Sequence, residues 1–482
     1  MLEIPSKLKL VHRQFKNFPN RTWSVLASKF PHEGWMDSNL PMTSSSDEAC
    51  KFFDAAIIQM TSLYEDSELG GTGNTLKQMM EADPDFVMGQ VLVNTLKYAC
   101  SQCDREAVTK ALDGISNLAL KQEVTDRERK HVTALKLVTE GKTLQAVETY
   151  REILTDSPTD LMACLFAYFK YYELGMSKEM LDIMKFVVEA YSSETPGYST
   201  ILAWKAFAHE ENSQLVEAEQ ESYKSLAVSS GEAFAIHTMA HIHLERGMLD
   251  VGLAFLQSKA KYWESSNLAC HIAWHEALFL LEKGQFDDAV KIFDEQIITR
   301  AATGGNFNDA SSLLYRLSFE DVQVPQRWKS VLGLVDKFYE QHRWIYIDAH
   351  ILFTLYRNGE KERASEMLEK LKSFVKDTTG ANALVTHDVG IPLCAGITAF
   401  EEGHYETATN CLNSIRTTLH KIGGSIAQRD TFVQLLIHSA IKSPNPDHRT
   451  LARTILNERK TKRADDPLGD RLISLLENNA SD

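Results

Sequence analysis

Apolar positions recur along most of this chain at the spacing of an amphipathic helix, and the pattern breaks at short, regular intervals. The stretch LLEKGQFDDAVKIFDEQI, Leu280 to Ile297, reads as helix, turn, helix, with Gly284 at the turn, Ala289 five residues on and Phe293 nine on. The same offsets recur at Gly141 with Ala146 and Tyr150, at Gly359 with Ala364, and at Gly403 with Ala408. Gly175 and Gly247 occupy the same place with weaker partners. Ser213 with Ala218, Gln102 with Ala107 and Asp447 with Ala452 are further members without the glycine.

From Gln102 to Gly284 these anchors are 34 to 39 residues apart, and the later intervals are 75, 44 and 44. The interval of 75 spans two units, and DASSLLYRLSFED and QRWKSVLGLVDKFYEQ at its middle read as a divergent hairpin. Helix-turn-helix units at such a period are the signature of tetratricopeptide-type repeats. Seven residues before the anchor, in the first helix of a unit, stand Ala134, Ala206, Ala240, Ala277 and Gly396, as close helix packing requires. Pro158 is placed to stop a second helix, and Ser229 to Glu232 reads as a capping box.

Upstream, SDEACKFFDAAIIQMTSLYED and TLKQMMEADPDF form one more hairpin, joined by ELGGTGN. Residues 1–44 contain Pro5, Pro19, Pro31 and Pro41 without a clean period, and are expected to pack irregularly on the array. The expectation is an all-α protein: an α-solenoid of about eleven TPR-like helical hairpins in a curved superhelix, continuous over 45–482. Its best-defined repeats fall at about 127–300 and 345–460.

Composition agrees: 24 Gly and 12 Pro in 482 residues leave little room for an all-β fold. A formal charge of −15 argues against sequence-independent nucleic-acid binding. The one basic run, Asn457 to Arg463, reads as a solvated helix end. Seven cysteines are scattered singly except Cys100 and Cys103, and read as small core residues in a reducing compartment. With no secretory leader and no uninterrupted apolar run near 18 residues, the chain is expected in the cytoplasm, away from membranes.

Several stretches have a more particular likeness: IHTMAHIHLERG (Ile236–Gly247), HIAWHEALFLLEKGQFDDAVKIFD (His271–Asp294), SSLLYRL (Ser311–Leu317) and QRW (Gln326–Trp328). Beyond them come DAH (Asp348–His350), HDVGIPLCAG (His387–Gly396) and GGSIAQRDTFVQLLIHSA (Gly423–Ala440). With ELGG and ADPDF near the start, the chain resembles the tetratricopeptide repeat protein 38 family over nearly its whole length. It departs in detail: Glu276 stands where an aromatic is expected. The resemblance implies an all-helical repeat protein and carries no catalytic residue.

First helices of such repeats line the concave groove, which places His237 and His241 of one unit there. His271 and Trp274 follow in the next unit, with His275 one residue round. The i, i+4 spacing stacks each histidine pair on one helix face, on neighbouring helices roughly 10 Å apart. Three readings stand side by side: packing histidines hydrogen-bonded across the groove, a polar ligand site, and a transition-metal site of His237, His241, His271 and His275, or of three of them with Glu276. The metal reading ranks last, and no cofactor is expected, with zinc the metal considered. Asp309, Arg316, Trp328, Asp348, His350, His387, Asp388, Gln428, Arg429 and Asp430 are further candidates. They suit a small anionic or carbonyl-bearing ligand, or buried ion pairs between helices.

No P-loop, nucleophile elbow, protein-kinase or dinucleotide signature occurs. Thr303–Asn306 and Gly423–Ser425 read as turns, and Tyr168, Phe169, Tyr171 and Tyr172 as core with groove lining. The leading functional reading is a cytoplasmic repeat adaptor holding a peptide or protein segment in its groove. The alternative is an enzyme or small-molecule binder with a His/Asp/Arg-lined pocket inside the array.

Overall fold

The computed structural model describes residues 40–99, 105–301, 303–339 and 341–478. Cys100, Gln102, Cys103 and most of the N-terminal segment lie outside them. Among the described residues the chain is helical throughout. The first hairpins pair α1 (Asp47–Ser62) with α2 (Gly71–Ala82), α3 (Val87–Ala99) with α4 (Arg105–Lys121), and α5 (Asp126–Thr139) with α6 (Thr143–Asp156). Next come α7 (Leu161–Glu173) with α8 (Ser177–Val188), α9 (Tyr198–Glu210) with α10 (Leu215–Val228), and α11 (Ala233–Glu245) with α12 (Leu249–Trp263). The α13 helix (Ala269–Glu282) pairs with α14 (Phe286–Ile292), which runs on through a π-turn at Phe293–Ile297. The α15 helix (Gly304–Phe319) pairs with α16 (Pro325–Val335), and α17 (Ile345–Arg357) with α18 (Lys361–Asp377). A short α19 (Ala381–Val385) leads into α20 (Ile391–Glu401), which pairs with α21 (Tyr405–Ser414). The array ends with α22 (Ile426–Lys442), α23 (Pro446–Lys462) and a terminal α24 (Pro467–Asn478). This is the expected all-α solenoid of eleven hairpins.

The period survives in the backbone. The turn anchors Gly141, Gly175, Ser213, Gly247, Gly284, Gly359 and Gly403 all have positive φ. The long interval is split by Asp321 (φ 59°), 37 residues after Gly284 and 38 before Gly359. An aspartate tolerates that region better than most residues, so the divergent hairpin keeps its register without a glycine. The last turn differs: helix α23 starts at Pro446 on an Asn445 cap, so Asp447 is no turn anchor. Ala134, Ala206, Ala240 and Ala277 are fully buried between first helices.

Several local expectations are corrected. Ser229–Glu232 is not a capping box. Glu232 is itself the N-cap, and its carboxylate accepts from Ser199 Oγ at 3.0 Å and Thr200 Oγ1 at 3.2 Å on α9. Thr303–Asn306 is not a free turn, because Thr303 caps α15 through the Asn306 amide. Gly423–Ser425 is a turn and ends in a true capping box of Ser425 and Gln428. Residues 381–401 form one continuous helix, 21 residues long and apolar enough in composition to cross a membrane. His387, Asp388 and Pro392 interrupt its apolar run in the sequence, and over half of its most apolar stretch is buried within the array.

The superhelix closes on itself. Its last hairpin turns inward and packs α22 against α15 and α11, inside the curve of the first helices. Tyr172 Oη on α7 donates to Gln428 Oε1 at 2.5 Å, and the Ile426 amide donates to Glu211 Oε1 at 2.7 Å. Trp344 Nε1 donates to the Ile422 carbonyl at 2.6 Å, and the Ala464 amide to the Arg246 carbonyl at 2.7 Å. A Cβ added to Gly247 would run into the backbone of Asp465, so this turn is glycine for its φ and for the segment lying on it. Arg459 fastens the closure by pairing with Glu282, with Asp430 at 3.0 Å and with Asp466 at 2.9 Å. Arg463 adds a bond to Glu282 at 3.1 Å. The basic run Asn457–Arg463 is therefore in part a buried ion-pair hub, not a solvated helix end. Those carboxylates hold the Arg459 guanidinium well above its ordinary range, against burial.

Candidate functional site

The i, i+4 histidine pairs on α11 and α13 face one another. His237, His241, His271 and His275 offer ring nitrogens that all lie within 4.8 Å of one another. Adjacent rings in the group are 4.4 to 5.2 Å apart between centroids. The placement follows from the repeat: Ala240 and Ala277 let the two first helices approach, and the i, i+4 spacing then stacks two imidazoles on each facing side. His241 and His275 are fully buried, His237 nearly so, and the His271 side chain retains 13% of its exposure.

Two of the imidazoles are held from behind by carboxylates. His241 Nδ1 lies 3.0 Å from Glu210 Oε1, and His271 Nδ1 lies 2.9 Å from Asp309 Oδ2. Those contacts point Nε2 of both rings into the group. His241 Nε2 meets His237 Nε2 at 2.9 Å. His237 Nδ1 and both nitrogens of His275 have no hydrogen-bond partner. Burial pushes the pKa of His237 and His275 well below the ordinary range and that of His241 down to about 4, so these rings are neutral at physiological pH.

Around this centre lies a shell of polar and aromatic groups. Trp274 stacks on His271 at 5.2 Å and donates its Nε1–H to Ser312 Oγ at 3.1 Å. The fully buried Arg316 lies 5.3 Å over the Trp274 ring and donates to the Ala427 carbonyl at 2.7 Å. Asp309 Oδ1 is buried without a partner, as are Tyr346 Oη and His350 Nε2 on the more distant α17. A cavity of about 40 Å³ lies beside Arg316, bounded by Glu245, Glu282, Asp430, Gln434 and Arg463. That is room for about three waters. Burial, reinforced by the neighbouring Glu210, pushes the Glu245 carboxyl up to about 10.

The structure thus gathers some sequence candidates and disperses others. His237, His241, His271, His275, Trp274, Asp309 and Arg316 converge. His350 stands two first helices away, its Nδ1 2.7 Å from the Tyr346 carbonyl of its own helix. Asp348 turns to His342 Nδ1 at 3.2 Å. Trp328 is a buried core side chain on α16. His387 and Asp388 sit on the surface, bonded to each other at 2.7 Å, and take no part in an interior site. Arg429 bonds Glu211 at 3.1 Å, and Asp430 bonds Arg459 and Gln434, so both belong to the closure. Asp430 lies in the second turn of α22, not at its start, because the helix opens at Ile426. Glu276 is not a fourth ligand: it faces Gln257, and burial raises its pKa.

Glu210, Glu211 and Tyr346 were not singled out from the sequence, and Tyr172 was read only as core and groove lining. One signal was available. Glu173, Glu211, Glu245, Glu282 and Glu401 all stand two residues before a turn anchor, near the C-terminus of a first helix. A carboxylate there opposes the helix dipole, so its recurrence asks for partners, and Glu211 and Glu282 find Arg429 and Arg459.

No family model matches the chain. Among solved structures, the human IFIT1 dimer with m7Gppp-AAAA is 14% identical, covering 93% of this chain and 97% of that chain, with a TM-score of 0.38. The yeast Tom70 structure is 13% identical, covering 74% and 91%, with a TM-score of 0.28. The TPR domain of P58(IPK) is 14% identical, covering 73% and 99%, with a TM-score of 0.19. At such scores the likeness carries nothing about ligand or partner. The all-α repeat architecture rests on the chain's own helices and their period.

Proposed function

We propose that this protein is an enzyme or small-molecule binder whose site lies inside the closed array, and not an adaptor with an open peptide groove. One observation carries the reading. The concave side of the first helices is occupied by the chain's own α22, and beneath it His237, His241, His271, His275 and Asp309 converge with buried nitrogens left unpaired. An extended groove for a peptide has no need of that concentration in three neighbouring repeats.

The shell favours a small polar ligand, anionic or carbonyl-bearing. Arg316 and Tyr346 supply buried donors, and the unpaired imidazole nitrogens can bind a polar group. The adjoining cavity holds only about three waters, so a larger ligand has to displace part of the last hairpin. The proposed setting is the cytoplasm, with no nucleic acid as partner, which the acidic balance of the chain supports. The resemblance to the tetratricopeptide repeat protein 38 family supports the repeat architecture and adds no chemistry.

The test is extraction of untagged protein by denaturation, with released small molecules quantified by mass spectrometry. The reading expects one polar species near one per chain, depleted in His271→Ala. Release at blank level, together with a protein partner recovered equally well by wild type and His271→Ala, would sink it and restore the adaptor.

A further inference from the structure

We propose that His237, His241, His271 and His275 together bind one divalent transition-metal ion of the zinc or iron type. The inference deepens the reading of an interior site by naming its cofactor.

The first argument is donor chemistry. Four imidazoles from two adjacent helices offer nitrogens within 4.8 Å of one another. In a tetrahedral set at about 2.0–2.1 Å from zinc, neighbouring nitrogens are roughly 3.3 Å apart. The His237–His241 contact of 2.9 Å is already near that edge, and modest ring rotations close the rest. A set of nitrogen donors without a thiolate suits borderline ions over magnesium or calcium, which take oxygen.

The second argument is the backing of the ligands. Metal-binding histidines characteristically give their other nitrogen to a carboxylate, which fixes ring orientation and tautomer. Glu210 does this for His241 and Asp309 does it for His271. Glu210 and Asp309 are both buried, so each backing group is fixed in place behind its ring.

The third argument is what packing alone leaves unexplained. A neutral imidazole has one donor and one acceptor, and His275, fully buried, satisfies neither. His237 Nδ1 is buried and unpaired as well. Groups of this kind are seldom left without partners in a folded protein. Had the four rings served only to pack, the same helix faces filled with Leu or Phe would remove the penalty. A metal–nitrogen bond supplies a partner to one of the two His275 nitrogens directly.

The experiment uses the full-length chain without a His-tag, stripped with chelator and reconstituted separately with Zn²⁺, Fe²⁺ and Co²⁺. Metal is measured by mass spectrometry, and cobalt coordination by its visible absorption. The expected result is about one ion per chain for zinc or iron, with a cobalt band of nitrogen coordination. Both are lost in His275→Ala and in the milder His241→Gln. His243→Ala removes a buried histidine of α11 outside the group and is expected to retain full loading. Should the alanine variants fail to fold, His271→Asn tests the least buried ligand, with an expected loss of at least tenfold in affinity. Loading below a tenth of an ion per chain with no cobalt band would overturn the proposal, as would loading unchanged in His241→Gln and His271→Asn. If the metal is absent while a small molecule still co-purifies and is depleted in His271→Ala, the interior site stands and its metal falls.

Discussion

The Nε2 atoms of His237 and His241 face each other at 2.9 Å, and the far nitrogen of His241 is held by Glu210 at 3.0 Å. Two histidines one helical turn apart thus meet at a shared point, and a carboxyl on the preceding first helix holds one of them, His241. The same device recurs on α13, where Asp309 aims His271. The site draws on the first helices of four consecutive repeats, α9, α11, α13 and α15, so it exists only when the repeats are stacked.

Asp309→Asn is the mildest way to disturb that aim. It keeps the shape, removes the charge behind His271 and lets the amide present its NH₂. Loss of such a backing group typically costs 10–100-fold in metal affinity. Competition with a chromophoric chelator should show a drop of that size. Unchanged affinity would mean that Asp309 plays no part in orienting the ligand.

Arg459 sits at the closure between Glu282, Asp430 and Asp466. Arg459→Met leaves buried carboxylates without their cation, for which about 3–5 kcal/mol is the usual cost. Urea unfolding should show a loss of that order, and amide exchange should rise first in α22 to α24. A loss below about 1 kcal/mol would show that the hub does not hold the last hairpin in place.

Two turn glycines should respond differently to the same substitution. Gly359 (φ 77°) has open space where a Cβ would go, whereas at Gly247 (φ 67°) the Cβ meets Asp465. Gly359→Ala bears only the left-handed backbone penalty, about 1–2 kcal/mol. Gly247→Ala adds displacement of the segment between α23 and α24. Thermal unfolding should rank Gly247→Ala clearly below Gly359→Ala, and equal melting points would count against the closed array.

These outcomes track how much of the molecule was legible in its residues. The repeat was, because Gly141, Gly284 and Gly403 mark turns that need positive φ, and Ala240 and Ala277 mark close packing. The facing of His237 and His241 toward His271 and His275 followed from i, i+4 spacing on neighbouring first helices. Closure was hidden, because Arg459 lies in a run that looks solvated and Glu282 is 177 residues away. His387 and Asp388 misled for a related reason: adjacent residues with suggestive chemistry were given a role, and they bond only to each other on the surface. Side-chain type reveals candidate chemistry, whereas the curvature that joins distant repeats comes from many small packing angles.

Glu232 supplies a pH signature away from the histidines. Burial raises its pKa to about 7 from an ordinary 4.5, against hydrogen bonds from Ser199 and Thr200. The folded state therefore holds a proton that the unfolded chain has lost between those values, and stability falls as pH rises from about 4.5 to 7. Above that window the full penalty persists, about 3 kcal/mol for a shift of this size. Glu232→Gln should flatten the decline and be more stable than wild type at pH 8, as read by melting temperature across pH. A variant less stable at pH 8 would reverse the sign.

The central claim is that the four histidines act as one site within the closed array. An anomalous-difference map from crystals of cobalt-loaded protein tests it most directly. A single strong peak is expected about 2.0–2.2 Å from nitrogens of at least three of His237, His241, His271 and His275, with α22 covering the site. Imidazoles joined only by ordered waters, with no peak among them, would contradict it.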